Sequence, residues 1–133
     1  MNKSRNNELI KLADESLNGT DGILFKPNST TDIDASYNGQ IASLGVSIAM
    51  SGLRPALAIY YQDSSSTKVN RRAVLTVIAD MMRRDHFSGG EITDAQTLFR
   101  YSLRNDIDLI DLQREVEECS IALKQVVRTY NLV

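Results

Sequence analysis

Apolar positions recur along this chain with the 3.6-residue period of a helix far more often than with the two-residue period of a strand. The clearest case lies near the end. Leu109, Leu112, Val116, Cys119, Leu123, Val126 and Tyr130 advance by alternating steps of three and four, one continuous stripe on a helix. Asp106, Asp108 and Asp111 stand at its start and Lys124 and Arg128 near its end, the polarity that the helix dipole favours. A second helix is predicted over residues 34–51, stopped by Gly52, with Tyr37, Ile41, Leu44 and Ile48 as its large apolar stripe. Beside that stripe runs a row of small residues: Gly39, Ala42, Gly45 (or Val46) and Ala49. Small side chains let another backbone approach closely, so this helix is expected at the centre of the bundle with Gly45 a packing position. Glycines inside a helix cost up to about 1 kcal/mol each against alanine, which close packing has to offset.

Pro55 suits the first turn of a short helix over residues 55–62, carrying Leu57, Ala58, Ile59, Tyr60 and Tyr61. The polar run Asp63, Ser64, Ser65, Ser66 and Thr67 reads as a loop leading into a helix over residues 69–84, with Val74, Val77, Ile78, Met81 and Met82 inward. Residues 85–90 break the chain again. Thr93 or Asp94 then caps a helix through Leu98, Phe99 and Leu103. An N-terminal helix buries Leu9, Ile10, Leu12, Ala13 and Leu17, and residues 18–33 form a long, partly mobile connection. No internal repeat and no strand pattern is visible. The expected fold is all-α, a compact single-domain bundle of about six helices. Composition agrees, since 133 residues can bury a real core, and Pro 2, Gly 7 and 6% aromatic residues argue against disorder and against a β-sandwich.

Much chemistry is excluded. One cysteine, Cys119, rules out an internal disulfide and any cysteine-based zinc cage, and one histidine, His86, rules out every motif that needs two. No Gly-rich phosphate loop and no Gly-x-Ser-x-Gly elbow occurs. His86, in a loop beside Gly89 and Gly90, reads as a solvent-exposed residue and not as a general base. The run Asn105, Asp106, Ile107, Asp108 is no calcium loop, because neither the glycine at the sixth position nor the closing glutamate follows. The chain is therefore expected to be no enzyme and to need no cofactor. The polar N-terminus leads into no apolar segment, and the apolar stretch over residues 41–48 is too short to span a bilayer, so a cytoplasmic protein without membrane contact is expected.

Charge adds one pattern that the net value of −2 hides. Residues 54–104 are net positive, and their cations are Arg54, Arg71, Arg72, Arg83, Arg84, Arg100 and Arg104, with Lys68 the only lysine. Arginine is the residue for planar recognition of phosphate. Arg72 and Arg83 are eleven positions apart, which leaves them about 20° apart around a helix and nearly opposite its apolar stripe. Lys68 and Arg71 stand at that helix's N-terminal end, whose dipole also attracts anions. The stripe of Lys68, Arg71, Arg72, Arg83 and Arg84 suits the backbone of a single strand or an acidic partner, although Asp80 and Asp85 partly neutralise it. Its plain reading is a solvated helix face. Tyr60 and Tyr61 have the chemistry to stack bases, yet tyrosines at this spacing read first as packing.

Tyr37-x-x-x-Ile41-x-x-Leu44, followed by Ile48-Ala49-Met50-Ser51-Gly52-Leu53-Arg54-Pro55-Ala56-Leu57-Ala58-Ile59-Tyr60, resembles the small helical subunit of type III-B CRISPR effector complexes, the Cmr small-subunit family. Ala122-Leu123-Lys124 with Arg128 looks like the ending of that family's last helix. The resemblance covers residues 35–62 well and 105–130 loosely, and the chain lacks the proline that the family often carries before its Gly-Leu. It implies a non-enzymatic subunit in antiviral defence. Copies would stack along a ribonucleoprotein filament beside the crRNA-bearing backbone subunits, with a contact to the large palm-domain subunit at one end. Target RNA would be held through basic residues, here Lys68, Arg71, Arg72, Arg83 and Arg84 with Arg54, Lys124 and Arg128. Guide–target pairing would supply the sequence specificity. Two other classes stay open. One is a helix-turn-helix DNA-binding regulator with Gly52 as its turn, whose second helix has Arg54 as its one basic residue. The other is a helical adaptor for an acidic protein, or a small helical enzyme dependent on His86.

Overall fold

A computed structural model describes residues 2–62 and 70–133. Lys68, the polar run from Asp63 to Thr67 and the expected start of the fourth helix at Val69 lie outside the described residues. The chain is all-α. Its six helices among the described residues are α1 (Lys3–Gly19), α2 (Ser36–Ser51), α3 (Leu53–Tyr61), α4 (Arg71–Arg84), α5 (Ala95–Ser102) and α6 (Leu109–Val127). Local chemistry explains most of the boundaries. Asn2, Asn70, Asp94 and Asp108 each turn a side-chain oxygen onto a backbone N–H of the helix that follows. Asp94 and Thr97 close a reciprocal capping box. Gly52, at φ 91°, ends α2 with its N–H on the Ile48 carbonyl and opens α3 directly, a conformation that favours glycine.

The centre of the bundle is α4 and not α2. Ala73, Val74, Leu75 and Val77 to Met82 are all buried, because α1, α3, α5 and α6 pack around α4 on different sides. On α2 the predicted stripe of Tyr37, Ile41, Leu44 and Ile48 does face inward. The row of small residues does not. Gly39 and Ala49 are exposed, Val46 is 58% and Met50 81% exposed, and a Cβ built on Gly39 or Gly45 would meet none of the described residues within 4 Å. A small side chain fits an open surface as well as a close approach, so the pattern alone does not separate the two.

On α6, Leu112, Val116, Cys119, Leu123 and Val126 are buried as the stripe predicts. The helix ends at Val127, so Tyr130 lies beyond it and seats its ring edge-on against Phe25 at 5.3 Å. A strand pair also forms where none was expected. β1 (Asp32–Ile33) runs parallel to β2 (Asn131–Leu132). Two-residue strands are too short to show alternation, yet they tie residues 18–33 to the C-terminal tail, with Asn131 N–H on the Thr31 carbonyl and Val133 N–H on that of Ile33, both at 2.9 Å.

Candidate nucleic-acid interface

The cations expected to form one stripe fall into two groups. Arg83 and Arg84, in the last turn of α4, converge on Asp80 at 2.8 and 2.7 Å, and Arg84 also reaches Glu15 of α1 at 3.5 Å. Burial pushes the Asp80 carboxyl up, but the hydrogen bonds from Arg84 and Arg83 outweigh it and hold Asp80 below the usual carboxylate range. This end of the helix is largely neutralised.

Arg71 and Arg72, about 18 Å away at the other end of α4 by helix rise, are different. Neither has a carboxylate partner among the described residues, and each lies against a tyrosine of α3. The Arg71 guanidinium is 5.8 Å from the Tyr60 ring centre, and its Nε is buried without a hydrogen-bond partner among the described residues. Arg72 donates from Nε to the Tyr61 carbonyl at 2.8 Å and covers the Tyr61 ring at 4.4 Å. Tyr60 is a core residue, its hydroxyl donating to the Gln40 carbonyl at 2.6 Å, whereas Tyr61 is only half-buried. Arg54 donates to the Ser102 and Arg104 carbonyls at 2.6 and 3.2 Å, which satisfies the free acceptors at the end of α5. Lys124, half-buried, and Arg128, exposed, sit at the end of α6 with no ion pair among the described residues.

The sequence missed a further set of groups on α5. Phe99 stacks on Tyr61 with ring centres 5.3 Å apart and planes 16° apart, and the Arg100 guanidinium lies 5.9 Å from the Phe99 ring. Arg104 covers Tyr101 at 5.2 Å, but it is held by Asp106 at 2.7 Å and Glu91 at 2.6 Å. Tyr61 and Phe99 are far apart in sequence, so no local spacing announces their contact.

It missed a second cluster as well. Arg5 of α1 donates to both Asp85 oxygens at the end of α4, to Glu115 of α6 at 2.6 Å, and pairs with Glu118 at 3.5 Å. Burial raises the Glu115 carboxyl first of all, and the neighbouring Asp85 adds to this, so Glu115 is pushed up to about 8. Asp85 takes the opposite course. Burial raises it, but the two hydrogen bonds from Arg5, with the Glu115 carboxyl close by, outweigh burial and leave it lowered. Burial likewise pushes the Cys119 thiol well up. Of the three carboxyls around Arg5, Asp85 is therefore favoured as the anion and Glu115 as the acid, and the cluster pins three helices together.

The remaining polar residues of interest have local roles. His86 is exposed, as expected, in a left-handed conformation at φ 59°. Asp108 caps α6, Asp111 pairs with Arg114 and Asp106 with Arg104. No three His, Cys, Asp or Glu side chains among the described residues are grouped so as to hold a metal ion, and no described helix is long and apolar enough to cross a membrane. Compared with known protein families, curated proteins and solved structures, the chain finds no match.

Proposed function

We propose that the protein is the small, non-catalytic subunit of a type III-B CRISPR ribonucleoprotein effector complex, acting in the cytoplasm in antiviral defence. The observation that carries this reading is the outer face of α2. Sixteen residues of helix contain no charged side chain, and their outward positions (Gly39, Ser43, Val46, Ala49 and Met50) are exposed among the described residues. A monomeric surface is normally studded with charge, and an uncharged, small-residue helix face suits the close approach of a neighbouring subunit or a second copy. The face lies within residues 35–62, the segment that carries the family resemblance. Arg71 and Arg72, without carboxylate partners among the described residues, are the first cations to meet the phosphates of target RNA, with Lys68, Lys124 and Arg128 as further contributors, whereas Arg54 is committed to the Ser102 and Arg104 carbonyls.

A helix-turn-helix reading fits less well. The helix that would read bases, α3, buries Leu53, Ala56, Leu57 and Tyr60 and commits Arg54 to the carbonyls of α5. The test is co-expression of the chain with the backbone and palm-domain subunits of a type III-B complex. The wild-type chain is expected in the purified assembly, and a Val46→Glu, Ala49→Glu variant is expected to be absent from it at unchanged melting temperature. A wild-type chain that stays out of the assembly overturns the reading. A specific duplex shift by the isolated protein would replace it with a DNA-binding regulator.

A further inference from the structure

We propose that the run of planar groups Arg72, Tyr61, Phe99 and Arg100 is a stacking site for unpaired bases of single-stranded RNA. The ligand class rests on the RNA-holding part of the function proposed above; the site itself rests on geometry. The four groups follow one another in a row, with 4.4 Å from the Arg72 guanidinium to the Tyr61 ring centre, 5.3 Å between the centres of the two near-parallel rings, and 5.9 Å from the Phe99 ring centre to the Arg100 guanidinium. Aromatic rings and guanidinium planes are the surfaces on which single-stranded bases stack.

Three features separate this run from ordinary packing. It lies at the surface, since Tyr61, Phe99 and Arg72 are half-buried and Arg100 is exposed, while the neighbouring Leu98 and Tyr60 take the core positions. Among the described residues, neither of its arginines has a carboxylate partner. The Arg104–Tyr101 pair on the same helix is the internal contrast, with a guanidinium already closed by Asp106 and Glu91. It also has a movable end. At 5.9 Å and exposed, Arg100 is loosely seated over Phe99, so a base can stack on its plane or take its place on the ring. Arg71, whose Nε has no partner among the described residues, adds a cation beside the run for the phosphates next to a stacked base. A duplex keeps its base faces inside its own stack, and an acidic peptide would use the cations and leave the rings idle. A single strand uses both.

The test is fluorescence anisotropy of the full-length chain with a labelled short oligouridine, the same length of RNA duplex, and a peptide rich in Asp and Glu. Preference for the single strand is expected. The Tyr61→Leu, Phe99→Leu variant is expected to lose about tenfold in affinity for the oligouridine, and Phe99→Tyr to retain it. Arg100→Gln and Arg100→Lys, at an exposed position that the fold does not need, separate plane from charge. Both should weaken binding if the guanidinium plane stacks, and only the Gln variant if charge alone matters. Equal oligouridine affinity for wild type and the leucine variant, no binding of the single strand, or tighter binding of the acidic peptide would each overturn the proposal. Leucine variants that enter the effector complex and bind RNA normally sink the stacking site and leave the assembly reading standing. A chain that binds oligouridine through its rings but stays out of the complex does the reverse.

Discussion

Arg5, in the first turn of α1, grips Asp85, the residue that closes α4, through two hydrogen bonds of 2.8 and 2.7 Å. The same guanidinium donates to Glu115 of α6 at 2.6 Å, so one side chain joins the first and last helices to the end of α4. Removing it would leave Asp85 charged and poorly solvated beside a second carboxyl. Arg5→Met is therefore expected to destabilise the fold by about 2–4 kcal/mol, near the range for breaking a buried ion pair, as Arg5 keeps 28% of its side chain in water. Arg5→Lys should recover only part of this, since an ammonium cannot reproduce the fork. Urea denaturation of the three proteins checks it, and a wild-type midpoint for Arg5→Met would show that the cluster is idle.

The same cluster sets a pH dependence. In the unfolded chain Glu115 ionises near its ordinary 4.5, whereas folding raises it to about 8. The folded state therefore holds a proton that the unfolded state has released between those values. Its contribution to stability is complete below about 4.5 and is lost as pH rises through about 8. Asp85 and Asp80, both lowered, work in the other direction, their contribution being present above their ordinary 3.8 and lost as pH falls further. The melting temperature is expected to peak on the acid side of neutrality and to decline toward pH 9. Glu115→Gln, which keeps a neutral hydrogen-bonding group, should flatten the alkaline decline. A variant that melts with the wild-type pH profile would assign the decline to other groups.

Apolar periodicity was enough to place all six helices, because each buries a stripe whose spacing is local information. It could not rank them. The central position of α4 depends on how many neighbours surround Leu75, Ile78 and Met82, and its remaining flank carries Asp80, a charge that becomes acceptable in a buried position only because Arg83 and Arg84 fold back onto it. The arginines were visible as a pattern on a helical wheel, but a wheel shows no partners. Whether Arg72 or Arg83 keeps a free charge was decided by Tyr61 and Asp80, one on another helix and one a turn away. Tyr61 with Phe99, and Arg5 with Glu115, are contacts between distant segments, and nothing local encodes them.

Gly39 and Gly45 lie in the interior of α2 with open space where a Cβ would stand. Alanine at either position should stabilise the isolated protein by up to about 1 kcal/mol through helix propensity and a less flexible unfolded chain. Gly45→Leu should leave the melting temperature of the isolated chain nearly unchanged and should exclude it from the assembled complex. A drop of several degrees for Gly45→Leu would mean that another part of the fold covers this face.

The two ends of α4 make opposite predictions about salt. Each phosphate neutralised on a single strand contributes about −0.7 to the slope of log K against log salt. Arg72 has no carboxylate partner among the described residues, so Arg72→Gln is expected to flatten the slope of target-RNA binding by the assembled complex by about 0.7. Arg83 already spends its charge on Asp80 at 2.8 Å, and Arg83→Gln is expected to change the slope little. The Arg72→Gln loss should be nearly the same for every target sequence, because phosphate contacts carry no base code. Helicity should persist, since among the described residues the Arg72 head makes one hydrogen bond, to the Tyr61 carbonyl, and rests on a half-buried ring. The slopes of the two variants, measured on the assembly over a range of salt concentrations, decide the matter. Equal flattening by both would mean that the Asp80 pair opens when RNA binds, and the whole of α4 would then act as the single stripe that its sequence suggests. No flattening by either would move phosphate contact to Arg54, Lys124 and Arg128.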